Sequence, residues 1–169
     1  MVIVPDKFTF VATPRTGSRA LAEALIKQYS TAVTDYPMDH HTDTSMVPDD
    51  YPIYTVIREP VSHLISWYYH VDARHKGNKR SFDSFVKEYD SPQYFCRYNK
   101  YILNPYAEIA DKFFVYEQGL QLAANAMGIE HTIEVVGKSN MSPVKIDTGT
   151  MDYVRQAFAE DFALYESLT

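Results

Sequence analysis

The sequence has few of the features that mark secreted, membrane-spanning or nucleic-acid-binding proteins. It contains one cysteine, Cys96, which cannot form a disulfide within the chain, so we expect a reducing compartment. No apolar run is long enough to span a membrane, and the first residues, MVIVPDKFTFVA, lack the basic start of an export signal. The net charge of −6 argues against a basic face for nucleic acid. These absences favour a cytoplasmic protein with no nucleic-acid or membrane partner.

The composition is that of one folded domain. Hydrophobic residues make up 46% of the 169 residues and charged residues 22%, which argues against disorder. A chain of this length is expected to form a single domain, residues 1–169, with a real core. Aromatic residues are abundant, and they suit either that core or a site that stacks a purine or packs a sugar ring.

Short β-rich runs alternate with segments of helical periodicity along the chain. Strands are expected at 8–12, 31–34, 53–57, 113–116 and 133–136. Helices are expected after the first strand, from Pro60, after caps at Ser81, Ser91 and Thr150, and up to Gly128. Because this alternation is typical of a parallel sheet covered on both faces, we predict an α/β fold with three α/β/α layers and a central parallel sheet.

The segment TPRTGSR, residues 13–19, follows the first predicted strand and opens the first predicted helix. An α/β sheet binds ligands at the carboxyl ends of its strands, and a helix N-terminus attracts anions. Gly17 allows close approach of the backbone, and hydroxyl and guanidinium groups surround it. An ordinary turn with a capping serine and two surface arginines fits the same residues. No Gly-Lys-Ser/Thr is present, which argues against a small P-loop kinase.

A second candidate anion site follows the strand predicted at 53–57. Arg58 stands at the end of this strand, and Ser66 lies eight residues on, about two turns into the helix that Pro60 begins. The guanidinium and the hydroxyl suit a second anion. Alternatively, Arg58 pairs with Glu59 or another neighbouring acid, and Ser66 faces solvent.

Together the two segments resemble the sulfotransferases that use 3′-phosphoadenosine 5′-phosphosulfate (PAPS). TPRTGSRAL is similar to the family's 5′-phosphosulfate loop, and REPVSHLISWYY to its 3′-phosphate motif. KFFVYEQGLQ resembles a later strand that ends in a Tyr-Glu pair, and GKSNMSPVKID with AEDFALYESL resembles the C-terminal loop and helix of carbohydrate-type members. The resemblance spans most of the chain. It implies a P-loop NTPase-like sulfotransferase fold, PAPS as donor, adenosine 3′,5′-bisphosphate (PAP) as product, and no required metal.

The resemblance assigns a role to each matching residue. The 5′-phosphosulfate would be held by Arg15, Thr16, Gly17, Ser18 and Arg19. The 3′-phosphate would be held by Arg58 and Ser66, and a loop closing over the cofactor would contribute Lys138, Asn140 and Ser142. Arg15 would also neutralise charge on the leaving group during in-line displacement. Two features depart from the family: Arg15 stands where many cytosolic members have Lys, and the chain is shorter than most members.

A base for the acceptor is expected in the loop before the strand at 53–57, where His40 and His41 are adjacent. We favour His41, oriented by Asp39 or Asp43, although adjacent histidines in a polar loop are equally consistent with solvation or an adventitious metal site. The weaker candidates are Glu59 and His70, and Glu117 is expected to be structural.

The acceptor is expected to be a small molecule or a carbohydrate. Residues 70–101 carry seven basic and four acidic side chains, with tyrosines between them, which suits a sugar hydroxyl on an anionic glycan. Two amphipathic helices with aromatic core residues and solvated lysines fit the same pattern. A noncatalytic nucleotide- or anion-binding module is the alternative function.

Overall fold

The computed structural model describes residues 1–34, 47–48, 50–71, 80–87, 103–104, 106–133 and 143–169. The strands in these ranges are β1 (Val2–Val4), β2 (Phe8–Val11), β3 (Val33–Thr34), β4 (Ile53–Ile57) and β5 (Lys112–Val115). The α-helices are α1 (Ser18–Gln28), α2 (Pro60–Val71), α3 (Phe82–Lys87), α4 (Leu120–Ala126), α5 (Thr148–Ala157) and α6 (Ala159–Ser167), and a 3₁₀ turn spans Tyr116–Gln118. This confirms the α/β class.

The five strands form one mixed sheet in the order β3-β1-β2-β4-β5. Strands β2, β4 and β5 are parallel, but β1 is antiparallel to both of its neighbours, so the prediction of a wholly parallel sheet is wrong. The reason is the short link between β1 and β2. Asp6 adopts a left-handed φ of 60°, and the Lys7 amide donates to the Val4 carbonyl at 3.1 Å. Three residues close a hairpin but cannot cross over to a parallel strand.

The sequence predicted four of the five strands. Strand β4 has both predicted bounds, and β2, β3 and β5 lie within two residues of theirs. Strand β1 was missed. The strand predicted at 133–136 is not formed at Ile133, and residues 134–136 lie outside the described ranges.

The helix starts follow local signals in two cases and tertiary contacts in a third. Helix α2 begins at Pro60, and Ser81 caps α3 by accepting a hydrogen bond from the Ser84 amide at 3.1 Å. The cap predicted at Thr150 is wrong, because Asp147 accepts the Thr150 amide at 2.7 Å and the helix begins at Thr148. The final amphipathic stretch is two helices, α5 and α6. The cap predicted at Ser91 lies outside the described ranges.

None of the helices in the described ranges is long and apolar enough to cross a membrane.

The core fixes the carboxyl ends of β2 and β4, where the candidate site begins. Every residue of β2 is buried, with Phe8 and Phe10 in a cluster formed with α1 and α4. Val11 lies in a separate cluster with Ile53 and Tyr106. Because apolar neighbours pack against Phe8 and Phe10 in one cluster and against Val11 in the other, the loop after Val11 starts from a rigid support. Burial of one such Phe side chain contributes about 1.5–3 kcal/mol.

The helices α2, α3, α5 and α6 share their own apolar cluster, which includes Leu64, Trp67 and Phe158. A buried carboxylate ties α6 to the segment before β5. Asp161 accepts hydrogen bonds from the Leu103 amide at 3.0 Å, and from the Asn104 amide at 3.0 Å and side chain at 2.7 Å. Burial raises the pKa of Asp161 to about 6, against these hydrogen bonds, which lower it.

Candidate functional site

The loop between β2 and α1 is anchored to β4 at its base. The Thr55 hydroxyl donates to the Val11 carbonyl at 3.1 Å, and its oxygen lies 3.0 Å from the Thr13 hydroxyl oxygen. Since the Thr55 hydroxyl has one hydrogen and donates it to the Val11 carbonyl, the Thr13 hydroxyl is the donor to Thr55. Both threonines are buried. The loop therefore leaves the sheet in a defined direction, at the edge where two parallel strands end.

The two hydroxyls that were predicted to bind an anion, those of Thr16 and Ser18, form hydrogen bonds within the loop. The Thr16 and Ser18 hydroxyls each donate to the Thr13 carbonyl at 2.7 Å, and both residues are buried. A hydroxyl has one hydrogen, so these contacts leave only lone pairs to face another group. In this structure Thr16 and Ser18 shape the loop, and their direct contact with an anion stays a prediction.

Two left-handed residues give the loop its curvature. Gly17 has φ 73°, and a Cβ added there would lie 2.5 Å from Leu120 Cδ1 and 3.2 Å from Tyr116 Cε2. Glycine is therefore required both by the backbone conformation and by the packing of the loop on α4. Arg15 has φ 64°, which is strained for a residue with a side chain.

The side chain of Arg15 joins the two segments that the sequence singled out. Its Nε donates to Ser66 Oγ at 3.1 Å, across 51 residues of sequence. Its Nη1 lies 3.5 Å from His70 Nδ1, so one of the weaker base candidates is a neighbour of the same guanidinium. The predicted 5′-phosphosulfate residue and the predicted 3′-phosphate residue are thus in direct contact.

Arg58 contacts the backbone of the loop. Its Nη1 donates to the Arg15 carbonyl at 3.1 Å, and its guanidinium carbon lies 4.6 Å from the centre of the Tyr116 ring. Its Nε is 3.8 Å from Glu117 Oε1, so its acidic neighbour is Glu117 and not Glu59. The Arg58 side chain is only 14% exposed, so its charge is poorly screened by solvent. Its Nε is buried and makes no hydrogen bond within the described part of the chain.

Protein carboxylates occupy the N-terminus of α2. The Glu59 carboxylate accepts the amides of Val61 at 3.0 Å and Ser62 at 2.6 Å, and the Glu59 amide donates to the Glu117 carboxylate at 3.2 and 3.3 Å. These bonds satisfy donors that a helix leaves open at its start. Glu59, a weaker base candidate, is a helix cap here, and Glu117 has the contacts expected of a structural residue.

His63 was missed in the sequence, yet it lies against the loop. Its Nε2 is 2.8 Å from the Pro14 carbonyl oxygen, so this nitrogen carries the hydrogen and donates it. The residue is fully buried. Burial lowers its pKa to about 3, against the hydrogen bond, and the charges of Arg58 and Arg15 lower it further. The available signal was spacing: positions 63, 66 and 70 share one helix face.

Arg19 is turned outward. Its side chain is 72% exposed and its Nε lies 3.3 Å from Glu23 Oε1, one helical turn along α1. A surface pair of this kind contributes little to stability.

The remaining predicted site residues lie outside the described ranges. These are His40 and His41 with their partners Asp39 and Asp43, the closing-loop residues Lys138, Asn140 and Ser142, and most of the basic segment 70–101. Within the ranges that the structure describes, no three His, Cys, Asp or Glu side chains are grouped so as to hold a metal ion.

Comparison of the chain with protein-family models, with curated proteins and with solved structures finds no match.

Proposed function

We propose that the chain is a cytoplasmic PAPS-dependent sulfotransferase that acts on a hydroxyl or amine of a small-molecule or carbohydrate acceptor. The observation that carries this proposal is the contact between Arg15 and Ser66. Each of these residues belongs to a segment that resembles one of the two anion motifs of PAPS-dependent enzymes. The proposal includes a P-loop NTPase-like sulfotransferase fold with three layers, of which the mixed α/β sheet is the part described above.

The charges around the loop fit a ligand with two anionic ends. Arg15 and Arg58 supply two guanidinium groups, one bonded to Ser66 and the other to the loop backbone, and the start of α1 adds a partial positive charge. Arg58 Nε is a buried donor with no acceptor in hydrogen-bond range in the described part of the chain. A buried unsatisfied donor costs about 1–3 kcal/mol, so this nitrogen favours an acceptor closer than Glu117 Oε1, which lies 3.8 Å away. This orphaned donor supports an anion beside Arg58.

Catalysis in this proposal rests on positioning and charge. When bound, PAPS supplies a sulfuryl group on an activated S–O bond. The Arg15 guanidinium then stabilises the charge that the leaving phosphate gains as the S–O electron pair moves onto it. The acceptor oxygen or nitrogen bonds to sulfur and gives up its proton to a base, for which His41, or else His40, is the proposed residue. A sulfuryl group carries less charge than a phosphoryl group, so we propose that no metal is required.

Calorimetric titration with PAP, without metal, tests the cofactor site. We expect wild type to bind it with a Kd of about 1–10 μM, and Arg15→Ala and Arg58→Ala each to weaken binding at least about tenfold through loss of a charged hydrogen bond. Arg155→Ala is the matched control, since it removes the same charge from an exposed position on α5. Thermal melting verifies that each variant is folded.

The outcomes separate the candidate functions. If folded wild type does not bind PAP, the sulfotransferase proposal is wrong. If it binds PAP but transfers sulfuryl from PAPS to no hydroxyl or amine in an acceptor panel, the chain is a noncatalytic nucleotide-binding module. Equal loss of binding in Arg155→Ala and Arg15→Ala would reduce the effect to net charge and overturn the assigned site.

A further inference from the structure

Three successive carbonyl groups of the loop accept hydrogen bonds from side chains. The Thr13 carbonyl accepts the Thr16 and Ser18 hydroxyls, the Pro14 carbonyl accepts His63 Nε2, and the Arg15 carbonyl accepts Arg58 Nη1. The first set of bonds is internal to the loop. The other two come from β4's end and from α2, so they attach the loop to the rest of the protein.

Holding the carbonyls also sets the direction of the amides. In a trans peptide the C=O of one residue and the N–H of the next point in opposite directions. The bond from His63 to the Pro14 carbonyl therefore directs the Arg15 N–H away from α2. The bond from Arg58 to the Arg15 carbonyl likewise directs the Thr16 N–H away from the Arg58 guanidinium. Left-handed residues such as Arg15 and Gly17 are typical of backbone nests, in which successive amides form a concavity that binds an anion.

We propose that His63 is a positioning residue that orients the Arg15 amide toward the 5′-phosphosulfate by holding the Pro14 carbonyl. The inference rests on the proposed function and deepens it, because His63 is not one of the residues predicted to bind either anion. His63 acts through the loop and does not touch the ligand.

The environment of His63 suits this role. The ring is fully buried on α2, a twelve-residue helix, so its donor is fixed in place by packing. The charges of Arg58 and Arg15 both act on the ring, and burial together with these charges keeps it neutral. A neutral ring adds no charge to compete with the arginines for the anion. It also carries one N–H, which is committed to the Pro14 carbonyl.

The test compares His63→Gln with His63→Met. The two replacements have similar length and volume, but only Gln retains an N–H donor that reaches the Pro14 carbonyl. Hydrogen–deuterium exchange of the 13–19 segment is measured without ligand, and PAP affinity by calorimetry. We expect His63→Met to raise loop exchange and weaken PAP binding, each by at least about tenfold, because the Pro14 peptide is released. We expect His63→Gln to stay within about threefold of wild type in both.

Each outcome decides a separate point. Wild-type loop exchange in His63→Met overturns the inference, and so does equal loss in His63→Gln, which would make ring packing the cause. If wild type binds PAP and His63→Met binds equally well, the inference fails while the proposed function stands. If wild type does not bind PAP, the proposed function fails, and with it the ligand that the loop was inferred to face, while the exchange data still report whether His63 holds the loop.

A measurement on wild type covers the case in which His63→Met does not fold. Long-range ¹H–¹⁵N spectra report the tautomer of each histidine. We expect His63 to be the Nε2–H tautomer, with that hydrogen protected from exchange. An Nδ1–H tautomer would overturn the inference, because the donor to the Pro14 carbonyl would be absent.

Discussion

Acidification should destabilise the fold through His63, because this histidine is buried in its neutral form. Its pKa in the folded protein is about 3 against an ordinary 6.5. The neutral ring is the form that the fold accommodates, so the stability that His63 contributes is present above pH 6.5 and is lost as the pH falls toward 3. Lowering the pH from about 7.5 to about 4.5, which is about two units below 6.5, therefore lowers the free energy of unfolding by roughly 3 kcal/mol through His63.

Asp161 acts in the opposite direction. Burial raises its pKa to about 6 from 3.8, so its contribution to stability is present below about pH 4 and is lost as the pH rises through about 6. The same acidification therefore raises the free energy of unfolding by about 2 kcal/mol through Asp161. In wild type the two effects nearly cancel, and variants are needed to separate them.

Urea unfolding of wild type, His63→Gln and Asp161→Asn at several pH values measures both effects. The single tryptophan, Trp67, is buried and reports the transition by fluorescence. On going from about pH 7.5 to about pH 4.5, the free energy of unfolding of His63→Gln should rise roughly 3 kcal/mol more than that of wild type. That of Asp161→Asn should rise about 2 kcal/mol less. All other titrating groups are common to the three proteins, so the differences between profiles isolate each residue.

If the free energy of unfolding depended on pH in the same way in wild type and His63→Gln, burial would not lower the pKa of His63. The ring would then titrate alike in the folded and unfolded chains. A uniform loss of stability in Asp161→Asn, with an unchanged profile, would show that its three hydrogen bonds offset the desolvation of the carboxylate.

Two further predictions concern the loop and the helix α5. Gly17→Ala should lower the free energy of unfolding by about 2–4 kcal/mol, because of the left-handed backbone and the collision with Leu120. Gly149→Ala, whose added Cβ would make only an ordinary contact of 3.5 Å with Asp147 Oδ1, should change it by less than about 1 kcal/mol in the same urea experiment. A loss below about 1 kcal/mol at Gly17 would show that Leu120 moves aside. Asp147→Ala should cost about 1 kcal/mol and lower the melting temperature, because the Thr150 amide loses its acceptor, and Asp147→Asn should restore most of this. Equal melting of Asp147→Ala and wild type would contradict the cap.

The elements that were predicted well are those with local causes. The β-rich run at Ile53–Ile57 forms β4 with both predicted bounds, and Pro60 begins α2 because proline is accommodated in the first turn of a helix. Gly17 lies at the predicted junction between strand and helix and takes the positive φ that glycine tolerates. Each of these outcomes depends on a few neighbouring residues.

The errors arose where a distant residue decides between local possibilities. Thr150 and Asp147 are both cap-forming residue types, but Asp83 accepts the Thr150 hydroxyl at 2.6 Å, and Asp147 takes the cap. The antiparallel strand β1 depends on the turn at Asp6 and on pairing with both β2 and β3.

The sequence by itself determined the α/β class, most strand positions and the two segments that form the candidate site. It also supplied the residue types there, since glycine, arginine and hydroxyl groups can be identified without coordinates. Only the tertiary structure decided the direction of each group: Thr16 and Ser18 donate to the Thr13 carbonyl, Arg58 to the Arg15 carbonyl, and His63 to the Pro14 carbonyl. A hydrogen bond depends on distance and angle between groups far apart in the chain, and these are set by the packing of α2 and the sheet around the loop.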